Sequence, residues 1–288
     1  MAIRKIQQVI PGMPASDGAG VKLIRSLGGA DHGSLPRRAD PFLMLDAFSS
    51  ENPDDYVAGF PSHPHRGFET VTYLLDGHML HEDHLGHRGD LVSGAVQWMT
   101  AGRGIIHSEM PQQEHGRMRG FQLWLNLPAK EKMKPATYRD IQPGEIPSVE
   151  LPQGGSVKVI AGRFEAEGRA TSGPILGLTT DPTYLDVRLA SGGSFAHALD
   201  PGYAAFVYPF EGTLKIGERE LKTHDAGVLG AGDRIELNAG ADGARFLLLA
   251  GKPLREPVAQ YGPFVMNTRE ELEQAVREYQ SGELTRAA

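Results

Sequence analysis

Apolar and polar positions along this chain alternate mostly with a period of two, which is the signature of strands. Residues 69–75 (ETVTYLL) are rich in β-branched and aromatic side chains, and Asp76-Gly77 follows as a hairpin turn signal. Residues 79–83 read as the return strand, with a turn at 87–90 (HRGD). Shorter strands are expected at 91–93, 96–100 and 105–110, and 118–127 (MRGFQLWLNL) closes the series. Upstream, 5–10 and 21–26 are strand-like, and 41–46 (PFLMLD) suits a buried strand. Strands arriving roughly every 8–12 residues, with turn residues between them, predict a barrel or sandwich.

From Pro128 to Pro147 the pattern lapses. Lysine, glutamate and the prolines Pro135, Pro143 and Pro147 gather there, so 135–147 reads as a linker. Strand signals resume at 157–162, 175–177 and 184–189. They continue at 204–209, before Glu211-Gly212 as a second hairpin signal, and at 213–216, 227–230, 233–237 and 245–250. TYLLDGHML at 72–80 and FVYPFEGTLKI at 206–216 share a strand, acid-Gly, strand grammar, which implies a duplicated β-domain. The predicted organisation is an N-terminal barrel over 1–134, the linker, and a C-terminal barrel over 148–288. One helix is expected, at 268–280 (TREELEQAVREYQ). Thr268 and Glu271 make a capping box, Leu272, Ala275, Val276 and Tyr279 share a face, and Gly282 ends it.

Composition narrows the chemistry. There is no cysteine, which excludes disulfides, thiolate metal sites and a cysteine nucleophile. Any metal must therefore use His, Asp or Glu. The net charge is −7, from 29 Lys and Arg against 36 Asp and Glu, and no basic run stands out, so nucleic acid is not an expected partner. Neither a signal peptide nor an apolar run of about 18 residues is visible, which reads as a soluble, cytoplasmic protein that does not engage a membrane.

Two pairs carry the candidate chemistry. His63-Pro64-His65 precedes the strongest strand signal, and His107-Ser108-Glu109 lies on a later one. On an extended chain alternate side chains share a face, about 6.6 Å apart, so each pair can converge on one ion. Pro64 cannot donate a ladder hydrogen bond, which puts its segment at an edge. Three imidazoles and a carboxylate suit Fe(II), Mn, Ni, Cu or Zn. Glu69, four residues past His65, is an alternative carboxylate. The densest cluster of metal-type residues, His81-Glu82-Asp83-His84-Leu85-Gly86-His87, reads as a solvated hairpin, with His81 and Asp83 on one side of the strand. Trp98, Met99, Phe121 and Trp124 are expected to flank the site. The C-terminal half offers His197 and His224 but no H-x-H, and no metal is expected there.

HPHRGFETVTYLLDG at 63–77, TAGRGIIHSEMP at 100–111, GFQLWLNLP at 120–128 and QYGPFVMNTREELEQAV at 260–276 resemble segments of the pirins, a branch of the cupin superfamily. The resemblance implies an all-β bicupin: two cupin-type barrels (double-stranded β-helices) with a short C-terminal helix. It implies one metal, held in the N-terminal barrel by His63, His65, His107 and Glu109, and favours Glu109 over Glu69. The family's usual metal is iron, so Fe(II) is expected, with Zn, Ni, Mn, Cu or Co as alternatives. The implied activity is quercetin 2,3-dioxygenase-like cleavage of a flavonol with O2, Glu109 serving as general base. The resemblance also implies a second reading: a redox-sensing module that docks a protein partner, as a eukaryotic transcription cofactor of this family does.

Overall fold

The computed structural model describes residues 2–28 and 39–286. It is an all-β protein with a single α-helix, Arg269–Gln280, among the described residues. Among the described residues no helix is long and apolar enough to cross a membrane.

The chain divides into two compact units. The first is built on Phe42–Pro143, with Pro14–Arg25 and the C-terminal segment from Leu254. Its larger sheet has seven strands, ordered Thr137–Ile141, Val96–Thr100, Phe68–Asp76, Met118–Asn126, Phe42–Ser50, Val21–Leu27 and Met13–Asp17. A smaller sheet runs Phe60–His65, Ile105–Pro111, His78–Asp83 and Arg88–Val92. Apolar side chains from both, such as Phe48, Leu74, Met79 and Leu91, share one buried cluster. The second unit is built on Gly144–Pro253 and takes in Ile6–Ile10. A nine-stranded sheet dominates it, around a core that includes Val157, Leu185, Val207, Phe246 and Leu248.

These units correct the expected domain limits at three points. Ile6–Ile10 pairs with Ala226–Leu229, so the first strand belongs to the C-terminal barrel. The helix packs on Phe264–Met266 in the N-terminal unit, burying Leu272 and Ala275, and its capping box forms between Thr268 and Glu271. The expected linker 135–147 contains Thr137–Ile141, an edge strand paired with Val96–Thr100. Its alternate residues face the barrel, so its polar letters belong to an edge strand and not to a solvated connection.

Both acid-Gly signals also act differently from a hairpin turn. Phe68–Asp76 lies in the seven-stranded sheet and His78–Asp83 in the four-stranded one, and the two do not pair. Gly77, at φ +119°, turns the chain from one sheet into the other. Gly212, at φ +66°, sits at a register shift inside the continuous strand Ala204–Ile216. The two glycines thus mark bends at matching places in the repeated pattern.

Candidate metal centre

The smaller sheet of the N-terminal unit sets the site. Phe60–His65 is its edge strand, where Pro64 costs no ladder bond to a further strand. Ile105–Pro111 lies beside it with His107 directly opposite His63. Ile105, His107 and Glu109 are buried while Ile106 and Ser108 are less so, which is the alternation of a strand with one interior face.

The structure brings His63, His65 and His107 together: one ring nitrogen from each lies within 4.8 Å of the others. His63 Nδ1 is 2.8 Å from the Pro61 carbonyl, which can only accept, so Nδ1 is the donor there and Nε2 is the nitrogen turned toward the other rings. His63 Nε2 is 3.0 Å from His65 Nε2. Two nitrogens each about 2.1 Å from one ion and at right angles stand about 3.0 Å apart. His107 Nε2 is buried and has no hydrogen-bond partner. Burial, then the charge of His63, holds His65 well below the usual imidazole pKa, with the Pro263 carbonyl opposing. Burial, then His65, His63 and His81, does the same to His107. Both rings are therefore neutral near pH 7, the state in which imidazole binds metal. An orphaned buried nitrogen in a group of three imidazoles fits a transition-metal ion.

The two candidate carboxylates separate. Glu69 is buried but occupied elsewhere: it accepts from Thr100 Oγ1 at 2.7 Å and Trp98 Nε1 at 3.3 Å. Burial raises its pKa, against the opposing hydrogen bond of Thr100 and the charge of Lys134. Glu109 shares the interior face with His107 and is buried, and its Oε1 accepts from Thr72 Oγ1 at 2.8 Å. Its carboxylate stands outside the group of atoms lying mutually within 4.8 Å.

Aromatic and polar side chains surround the cluster. The Trp124 and Phe68 rings lie 5.4 and 5.2 Å from His65, both edge-on. Met99 faces Thr70 across neighbouring strands, and Gln97 faces Thr72. Trp98, bonded to Glu69, and Phe121, packed on Tyr73, lie on the opposite faces of their strands. Thr70 Oγ1 and Gln97 Oε1 are buried without partners. The interior therefore combines apolar ring faces with unused polar atoms.

One expectation fails outright. His81 does not belong to a solvated hairpin: its side chain is fully buried, and its ring stacks on Tyr138 with centroids 4.2 Å apart. His78–Asp83 is an inner strand, paired with both Ile105–Pro111 and Arg88–Val92. The sequence signal was present, since His81 and Asp83 alternate onto one face. Tyr138 of Thr137–Ile141 covers His81 on that face, and nothing local in the sequence marks the cluster as covered.

The strand carrying His63 and His65 is anchored just past its end. Gly67 takes φ +90°, and a Cβ there would fall 1.9 Å from the Val265 carbonyl, so only glycine fits. The Lys132 ammonium bridges the carbonyls of Gly67 and Val265 at 2.7 and 3.0 Å and the Asn126 amide oxygen at 2.7 Å. Arg66 reaches Glu278 of the helix at 2.5 Å and also donates to the Arg103 carbonyl.

In the C-terminal unit, His197 is buried between Phe164 and Phe195, and burial lowers its pKa to about 4.

Comparison with known proteins agrees with this architecture. The Pirin family pattern matches residues 20–125, and the Pirin C-terminal cupin domain matches residues 184–285. A Pseudomonas aeruginosa protein described as a "putative quercetin 2,3-dioxygenase" is 56% identical, over 98% of each chain. Human Pirin is 41% identical over 96% of this chain and 93% of its own. A crystal structure of quercetin 2,3-dioxygenase from Acinetobacter baumannii superposes with a TM-score of 0.89. It is 31% identical and covers 98% of this chain and 99% of its own. A bacterial pirin from Escherichia coli in complex with nickel(II) shares the fold at a TM-score of 0.66 and 19% identity, over 85% of this chain and 98% of its own.

Proposed function

The chain belongs to the pirin family, and from that premise we propose that it is a metal-dependent dioxygenase that cleaves flavonols such as quercetin, with iron(II) as the working metal. The observation that carries the metal is His107 Nε2, buried, neutral and unpartnered beside two further imidazoles. His63, His65 and His107 would hold the ion. Glu109, on the same interior face as His107, would supply the fourth donor by turning its carboxylate toward the three imidazoles. A metal held there would supply Lewis-acid stabilisation of a bound substrate oxyanion and a site for O2.

The chain's own residues do the rest. Glu109 takes the proton of the flavonol hydroxyl on its carboxylate. Thr72, donating to Oε1, orients that carboxylate. Phe68, Met99 and Trp124 offer apolar faces to a flat ring system. Thr70 Oγ1 and Gln97 Oε1 offer unused acceptors to its phenolic hydroxyls. The heterocycle then opens, with both oxygen atoms retained in the ring-opened ester and one ring carbon leaving as carbon monoxide.

The test is quercetin consumption by the iron-loaded protein with and without O2, with carbon monoxide measured alongside. Consumption that requires O2 and releases carbon monoxide is expected. Consumption that persists anaerobically, or none in air by a protein containing one iron per chain, refutes the oxygenase reading. The second of these results leaves the redox-sensing module, which a comparison of partners captured by the ferrous and ferric forms would examine.

A further inference from the structure

His107 has a second ring nitrogen, and the structure shows what it meets. His107 Nδ1 is 3.3 Å from His81 Nδ1, in a region where both side chains are buried. His81 Nε2 in turn faces Asp83 Oδ2 at 3.5 Å, and the side chains of both are fully buried. Strand pairing explains the row. Asp83 stands directly opposite His107 and His81 directly opposite Glu109, so His81 and His107 are diagonal neighbours on one interior face.

We infer that His81 and Asp83 form a positioning relay that sets the tautomer of His107 and aims its Nε2 at the metal. This rests on the reading that His107 is a metal ligand.

Two nitrogens at hydrogen-bonding distance need one donor and one acceptor. Ligation through Nε2 requires that nitrogen to be bare, so the proton of neutral His107 sits on Nδ1. His81 must then accept at its own Nδ1, which puts its proton on Nε2, pointing at Asp83. The chain has one self-consistent direction: Asp83 carboxylate, His81, His107, metal. A carboxylate acting through a histidine is a common support for metal-bound imidazole, and here one extra imidazole lengthens it.

Asp83 is built to stay a carboxylate. Oδ1 accepts from the Leu85 and His87 backbone amides at 2.9 and 3.1 Å, and Oδ2 lies 2.8 Å from His87 Nδ1. The His81 ring plane is fixed by its stack on Tyr138, whose hydroxyl donates to Asp140 and lies 3.3 Å from the Gln97 amide nitrogen. The row is thus held at its far end and along its flank, leaving only the near end to meet the ion.

The experiment uses the full chain, stripped of metal and then titrated with zinc(II) as a redox-inert probe against a competing chelator. In metal-free wild type, ring nitrogen-15 NMR should show His107 protonated at Nδ1. His81→Phe keeps the stack on Tyr138 but removes the acceptor. It should shift His107 toward the Nε2-protonated tautomer and weaken zinc binding roughly 10- to 100-fold, the usual size for such a support. The metal-free melting temperature should stay near that of wild type, which a merely structural role would not allow. His81→Gln, which retains an acceptor, should recover part of the affinity.

Finding His107 protonated at Nε2 in metal-free wild type overturns the inference. So does a folded His81→Phe protein that binds zinc as tightly as wild type. The NMR result decides the matter even if the variant fails to fold. Wild-type protein that binds no zinc at all would instead remove the metal reading, and the tautomer measurement tells the two failures apart.

Discussion

Lys132 offers a test of how the strand bearing His63 and His65 is anchored. Its ammonium is 1% exposed and spans the Gly67 and Val265 carbonyls and the Asn126 side chain. Burial lowers its pKa from 10.5 to about 8, with Glu256 and Glu271 opposing. That depression, at about 1.4 kcal/mol per pH unit, means that keeping the charge costs the folded state about 3 kcal/mol at pH 7. The unfolded chain holds this proton up to about pH 10, whereas the folded chain releases it near pH 8. Between those values the unfolded state binds more protons, so stability rises with pH. From pH 7 to 9.5 the recovery is about 2 kcal/mol. Lys132→Met cannot titrate and lacks this gain. Urea unfolding of both proteins across that range should therefore show the wild-type-minus-variant difference climbing by about 2 kcal/mol. The absolute difference at pH 7 also contains three carbonyl-type acceptors left unpaired, so the slope is the informative quantity. A flat or falling difference would refute the buried, cationic anchor.

Two other outcomes bear on the same unit. Glu69→Gln should leave the metal content of the purified protein unchanged, because Glu69 is engaged with Thr100 and Trp98, whereas Glu109→Gln should lower it. Elemental analysis distinguishes them, and the opposite ordering would assign the carboxylate ligand to Glu69. Glu278→Gln removes the ion-pair partner of Arg66 and should cost about 1 kcal/mol at pH 7. Burial pushes the Glu278 pKa upward, but Gln274 and Arg66 outweigh it, leaving the folded value below the ordinary one. That stability is present above the unfolded value and fades as pH falls through the folded one. The wild-type-minus-variant difference should therefore shrink on acidification below about pH 4.5, and a constant difference in thermal melts would count against the ion pair.

What was legible in the sequence follows from the range of each signal. Strand alternation and the capping box are local, so 96–100 and the helix emerged almost to the residue. The i, i+2 spacing of His63, His65 and His107 with Glu109 put each pair on one face, and the structure brings the three imidazoles together. Pairing between distant segments is not local. Asp76-Gly77 carries the same letters whether it closes a hairpin or turns a strand into a second sheet, and only the partners of His78–Asp83 decide. The same ignorance of partners made Thr137–Ile141 a linker and His81 a surface residue. The two errors are one. Thr137–Ile141 brings the Tyr138 ring that covers His81, so misreading the covering strand exposed the histidine beneath it. A polar residue that alternates onto an interior face together with established candidate ligands belongs to the site until a solvent-facing neighbour is found for it. By that rule His81, diagonal to His107 and opposite Glu109, enters the candidate metal centre on strand register alone.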